Sequence, residues 1–184
     1  MANLMPYDEL NTLKKYFSAE QTESGSIDPD DAEDEVLDLL IMAYTFGVQS
    51  ASDALGISIT AKSEKMMESI YKKIADKDFV ERVREAAEAG DVADLALIAE
   101  TDAHRVYSEA VIDAARQSGK AARKKWQTMK DDRVRDAHWA LDGVAVGIDE
   151  RFYVDGDSAP GPGGFERADL NCGCRCWIDL IPAE

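Results

Sequence analysis

The chain contains no apolar run approaching the roughly 18 residues of a membrane-spanning helix. Its longest, Val36 to Val48, is broken by Asp38 and Gly47. The opening MANLMPYDEL has neither the basic nor the apolar region of a secretory signal, so neither a membrane partner nor export is expected. Cysteine is scarce. Three residues, an odd number in a chain with no export signal, predict reduced thiols rather than a disulfide framework. Their i, i+2, i+4 spacing is also poor geometry for pairing within the trio. Basic residues are in deficit, 21 against 37 acidic for a net charge of −16, which argues against coating nucleic acid through bulk electrostatics. There is no Walker-type loop, no GxGxxG and no GxSxG. The GPGG at 161–164 follows another proline and reads as a turn, not a phosphate cradle.

What is present is the composition of a folded globular protein, 45% hydrophobic and 32% charged over 184 residues. At this length a fold buries roughly 70% of its unfolded surface, so neither metal nor disulfide is obligatory. Tyr7 to Phe17 has Leu10, Leu13 and Phe17 at helical spacing, and Ser18 to Pro29 reads as a mobile linker. A long helix is expected from about Asp30, with Gly56 at its C-cap. Ser58 or Thr60 would cap a helix over 61–75, and Asp76 or Asp78 one reaching Ala89. From Val92 to Gln117 a stripe of small residues (Ala99, Ala103, Ala110, Ala114) predicts a close helix–helix contact, closed by Gly119.

After Gly119 the pattern changes. Strands are expected at 126–129, 144–148, 151–154 and 177–181, with 155–167 an irregular loop. The fold class is α+β: a helical N-terminal body with a small β-containing C-terminal module. The expected organisation is an N-terminal helix and acidic linker over 1–29, a helical body over 30–119 and the module over 120–184.

The module holds His138 and all three cysteines. With Cys172, Cys174 and Cys176, His138 supplies the ligand types for a zinc site, which makes zinc the candidate cofactor. Against this, extended backbone separates sulfurs two residues apart by about 6–7 Å, so Gly173 would have to bend the chain. The alternative is that the cysteines are small buried hydrophobes. A catalytic Cys–His pair oriented by Asp142 is a further possibility, without a visible oxyanion hole. His104 lies on a polar flank with Thr101 and Ser108, either as a buried cluster that receives the module or as a surface histidine. Lys120, Arg123, Lys124 and Lys125 open a basic stretch that is either a contact for DNA or an acidic partner, or a solvated loop. Trp126, Trp139 and Trp177 read as the module's core rather than a base-stacking platform.

Four blocks then stand out: L-I-A-E-T-D-A-H-R-V-Y (97–107), W-Q-T-M-K-D-D-R-V-R-D-A-H (126–138), L-D-G-V (141–144) and N-C-G-C-R-C-W (171–177). In order and approximate spacing they resemble the phage Mu F-like minor head protein family, the head-morphogenesis domain of tailed phages. The resemblance implies a virion component present in few copies, non-enzymatic, at the portal vertex or capsid interior. It would act in head assembly, DNA packaging or ejection, and occupy the host cytoplasm during assembly. Implied partners are the portal protein and other head proteins, with weak contact to double-stranded DNA. The family pattern marks Thr101, His104, Arg133, Arg135, His138, Asp142, Gly143, Asn171, Cys174, Arg175 and Cys176. The family's single N-C-R-C becomes N-C-G-C-R-C here, which leaves Cys172 without a clear equivalent. The chain is also short for the family, as a truncated version or a domain of a longer product would be. The rival reading is a zinc-dependent hydrolase or toxin domain built on His138 and the cysteines.

Overall fold

A computed structural model describes residues 7–74 and 76–182. Helix α1 (Tyr7–Ser24) buries Leu10, Leu13 and Phe17 against the helical body. It continues well past Phe17, through half of the segment expected to be a mobile linker. Ser18, Thr22 and Ser24 satisfy their hydroxyls on carbonyls four residues back, at 2.9, 2.7 and 2.7 Å, so the polar run can stay helical. Gly25, at φ +75°, ends it, and buried Ile27 pins the connection.

Helix α2 (Pro29–Leu55) starts where the sequence suggests. Asp28 accepts from the Asp30 amide, Pro29 occupies the first turn, and Gly56 caps the far end in a left-handed conformation. Helix α3 (Ser63–Ile70) starts later than expected. Lys62 occupies the cap position without a side-chain bond, and the Thr60 carbonyl is taken by Gln117 at 3.0 Å. The helix also ends earlier than the expected 61–75: Tyr71 is its C-cap and Ile74 forms an isolated bridge with Lys77, while Ala75 itself lies outside the described residues. Helix α4 (Phe79–Glu88) opens with a reciprocal capping box between Asp78 and Glu81. Helix α5 (Val92–Ser118) is capped by Asp91 and closed by Gly119.

Helices α2 and α5 form the central contact. Gly47 marks the crossing point, where a Cβ would lie 2.4 Å from the Tyr107 carbonyl oxygen and 2.7 Å from Ala110 Cβ. The small-residue stripe thus brings two backbones together as the sequence implied.

Strand β1 (Ala122–Gln127) is the middle of a three-stranded antiparallel sheet, between β2 (Ala145–Gly147) and β5 (Trp177–Pro182). Strand β3 (Phe152–Val154) falls where a strand was expected, and it pairs in a separate hairpin with β4 (Asp157–Ala159), which lies inside the segment expected to be irregular. Its turn, Asp155-Gly156, has φ of 50° and 81°, the left-handed pair that a tight hairpin turn needs. Two short helices, α6 (Asp136–Trp139) and α7 (Ala168–Asn171), complete the tail. Strand β5 packs on α5 and α2, so the tail is seated on the helical body.

Trp126 is the aromatic centre of the tail, with Phe152 at 5.1 Å and Phe165 at 5.9 Å between ring centroids. The expected trio of core tryptophans is reduced to this one. Trp139 is exposed and Trp177 half-buried.

Candidate functional site

The site is assembled where α6, the turn after α7 and the start of β5 meet. Helix α6 is a single turn that presents His138 inward, its ring stacked on Phe165 and edge-on to Trp126. Asn171 staples the approach: its amide exchanges two hydrogen bonds with the Phe165 backbone, at 3.1 and 2.7 Å. Gly173 then turns the chain at φ +67° and donates its amide to Thr101 Oγ1 at 3.1 Å, which fastens the turn to α5. Arg135 donates to the Cys172 carbonyl from the other side.

The result is convergence. Cys174 Sγ lies 3.6 Å and Cys176 Sγ 3.5 Å from the same atom, His138 Nδ1. The two sulfurs lie within 4.8 Å of each other, closer than the separation expected for extended backbone. The Cys174 thiol is pushed well below the usual range, first by its hydrogen bond with Cys176 and with help from His138, against the effect of burial. Cys176 is pushed up by the same pairing and by burial. Cys172, expected as a fourth ligand, is exposed and outside the group. The left-handed turn at Gly173 separates it from the other two.

Asp142 is not an orienter for His138. Its Oδ1 accepts from the Thr128 amide and hydroxyl at 2.9 and 3.0 Å, and Lys130 approaches at 3.4 Å. His138 Nε2 has no hydrogen-bond partner. The space beside the cluster, lined by Met129, Arg135 and Arg175 among others, measures about 10 Å³. That is room for at most one water, not for a substrate. Arg175 makes two 2.8 Å bonds to Asp131, and Arg133 lies 3.9 Å from Glu100. The charged residues of the signature are thus clamps between the tail's own segments and to α5.

His104 is fully buried on α5 against the Tyr7 ring, at 5.8 Å, which resolves its two readings in favour of the buried cluster. Burial and the nearby Arg175 push its pKa from 6.5 down to about 3, with the Cys176 backbone opposing weakly. The folded chain therefore refuses a proton that the unfolded chain accepts below pH 6.5. Stability should fall with pH through this window by about 1.4 kcal/mol per unit. Urea unfolding between about pH 7 and pH 5 should show a loss of about 2 kcal/mol. His104→Leu should flatten the slope, and an unchanged slope in that variant contradicts the assignment.

The basic stretch is not a solvated loop. Strand alternation turns Lys124 inward beside Trp126. Lys124 is fully buried, its Nζ lacks a hydrogen-bond partner and lies 5.7 Å from the Phe152 ring centroid, and burial pushes its pKa down to about 8. It is therefore withdrawn from any DNA or partner contact. Lys120 Nζ donates to the Leu55 carbonyl and Arg123 to the Ala145 carbonyl, while Lys125 is half-buried.

Sequence reasoning passed over a second polar cluster. Asp102 and Arg105 are both buried on α5 and paired at 3.0 Å, with Arg82 at 2.7 Å from the same carboxylate. Arg105 also donates to the Ser69 carbonyl at 2.7 Å and pairs with Glu109 at 3.1 Å. The i, i+3, i+7 spacing of opposite charges flanking an alanine stripe was the available signal.

A family model described as "Phage Mu protein F like protein" matches residues 59–178, which include His104, His138 and the three cysteines. The chain belongs to the phage Mu protein F-like family. For this Mu F-like chain, membership supports the class its C-terminal motifs suggested, a structural protein of phage head morphogenesis. In addition, 82 residues align at 38% identity with the NAD(+)–arginine ADP-ribosyltransferase EFV of Enterococcus faecalis (strain ATCC 700802 / V583). That match covers 43% of the Mu F-like chain and 17% of the relative, so the chain spans only a small part of that protein's length. No solved structure gives a significant match.

Proposed function

We propose that this Mu F-like protein is a minor head component of a tailed phage or prophage. It acts in head assembly at the portal vertex or capsid interior, by docking rather than by turnover. One observation carries the reading: the signature residues are spent inside the molecule. Thr101, Arg135, Asp142 and Asn171 hold backbone, Arg175 holds Asp131, and His138 faces two buried sulfurs beside a space of about 10 Å³. A hydrolase or toxin centre needs an open position that a substrate can reach, which argues against the enzymatic alternative. The role of such a tail is to be rigid, and its partners are recognised by the surface around it. The portal and other head proteins are the proposed partners, in the virion head and, during assembly, in the host cytoplasm.

Contact with packaged DNA in ejection or packaging would depend on Lys120, Arg123 and Lys125, since Lys124 is buried. The net charge of −16 opposes it elsewhere. The test is co-purification of the tagged chain with the portal protein of the same genome, alongside an assay of NAD(+)-dependent arginine modification. Co-elution without modification is expected. Arginine modification that depends on this chain overturns the non-enzymatic reading.

A further inference from the structure

Among the described residues, one group of side chains has the composition and proximity of a metal site: His138, Cys174 and Cys176, all buried, with ligand atoms within 4.8 Å of one another. The decisive feature is that both sulfurs approach one atom, His138 Nδ1, at 3.6 and 3.5 Å. A neutral imidazole nitrogen offers either one lone pair or one proton. It can serve one sulfur well, but not two. An ion placed between the three serves all of them. With zinc at about 2.3 Å from sulfur and about 2.0–2.1 Å from nitrogen, tetrahedral angles put the sulfur and nitrogen ligands about 3.6 Å apart. The observed separations agree with that value.

We propose that His138 Nδ1, Cys174 Sγ and Cys176 Sγ form a structural zinc site that clasps α6 to the start of β5. The fourth position faces the space of about 10 Å³, which suits a single water and excludes a substrate. Cys172 takes no part. Binding displaces the thiol protons to solvent, and the two thiolates cancel the charge of the ion, so the buried complex is neutral. The ligands are held in place before any ion arrives. Thr101 and Arg135 fix the Gly173 turn from two sides, Asn171 fixes its approach, and the His138 ring is packed between Trp126 and Phe165. This site does not depend on the head-assembly reading, since the geometry would bind zinc in any biological setting.

The test uses the full chain, purified under reducing conditions, loaded with zinc and dialysed. Metal analysis should find about one zinc per chain in the wild type and in Cys172→Ser. Cys174→Ser and Cys176→Ser should hold it at least about tenfold more weakly. Removing zinc with a chelator should lower the Tm of the wild type. Reduced wild type that holds no zinc after loading overturns the proposal. So does a Cys172→Ser variant that loses metal as fully as Cys174→Ser. Should the cysteine variants misfold, cobalt added to the wild-type protein decides alone: a thiolate-to-cobalt charge-transfer band supports the site, and its absence overturns it.

Discussion

Asp102→Ala should destabilise the protein by about 3–5 kcal/mol, the largest effect expected of a single substitution outside the cysteine turn. The change takes the Asp102 carboxylate from the buried Arg105 guanidinium, which keeps only the Ser69 carbonyl and a share of Glu109. Asp102 and Arg105 have no exposed side-chain surface, and Arg82 shares the same carboxylate. Glu109, already paired with Arg105 at 3.1 Å, cannot make up the loss, because it also serves Ser69 and Lys72 at 2.5 and 2.6 Å. Burial of Glu109 favours its neutral form, but Arg105 and Lys72 outweigh this and hold its carboxyl below the usual range. The Arg105 stem cannot swing out either. Gly163 lies flat on it, so close that a Cβ there would sit 2.8 Å from Arg105 Cγ. At about 2–4 °C per kcal/mol for a chain of this size, the midpoint should fall by roughly 10 °C. Replacing both charges, with Asp102→Leu and Arg105→Met, should cost less than Asp102→Ala alone, since it is the under-compensated buried ion that is expensive. A loss below about 1 kcal/mol in the single variant contradicts this account of the network.

Gly47→Ala should also destabilise, by about 2–3 kcal/mol. The sign is the informative part. On helix propensity alone the substitution gains about 1 kcal/mol, because alanine is the better helix former. The added methyl would lie 2.4 Å from a backbone carbonyl of α5, which has no flexible end to yield. Helices α2 and α5 must move apart, and the core that they share must loosen with them. Thermal unfolding measures the balance directly. An unchanged or raised midpoint means that the helices do not cross at Gly47.

Much of this architecture was legible because it depends on local chemistry. The acidic start of α2, the Asp78 capping box and the glycines at 56 and 119 are cap signals, and each marks a real helix end. The serine-rich continuation of α1 misled because serine is ordinarily a poor helix interior residue, yet here each hydroxyl closes back on its own helix. The Asp155-Gly156 hairpin carried a standard turn signal that the surrounding prolines and glycines obscured. Lys124 could have been placed inside. In A-R-K-K-W-Q the strand period that buries Trp126 also buries the residue two before it.

For the site, the ligand types were readable and the convergence was not. Spacing alone argued against a shared ion, since that argument assumed extended backbone. The actual conformation is set from outside the motif, by Thr101 on α5 and by Arg135, seventy-two and thirty-seven residues away from their partners in sequence. The same geometry explains why Cys172 does not join the cluster. Long-range contacts of this kind leave no periodic trace in the sequence.

The central claim is that this Mu F-like chain is a structural part of a phage head. The most direct measurement is mass spectrometry of gradient-purified heads assembled from the same genome, with the chain tagged. The account predicts that the tagged chain bands with the heads, in substoichiometric amount relative to the major head protein and retained after a high-salt wash. Its absence from intact heads, with the tagged chain recovered only as free protein, would contradict the account.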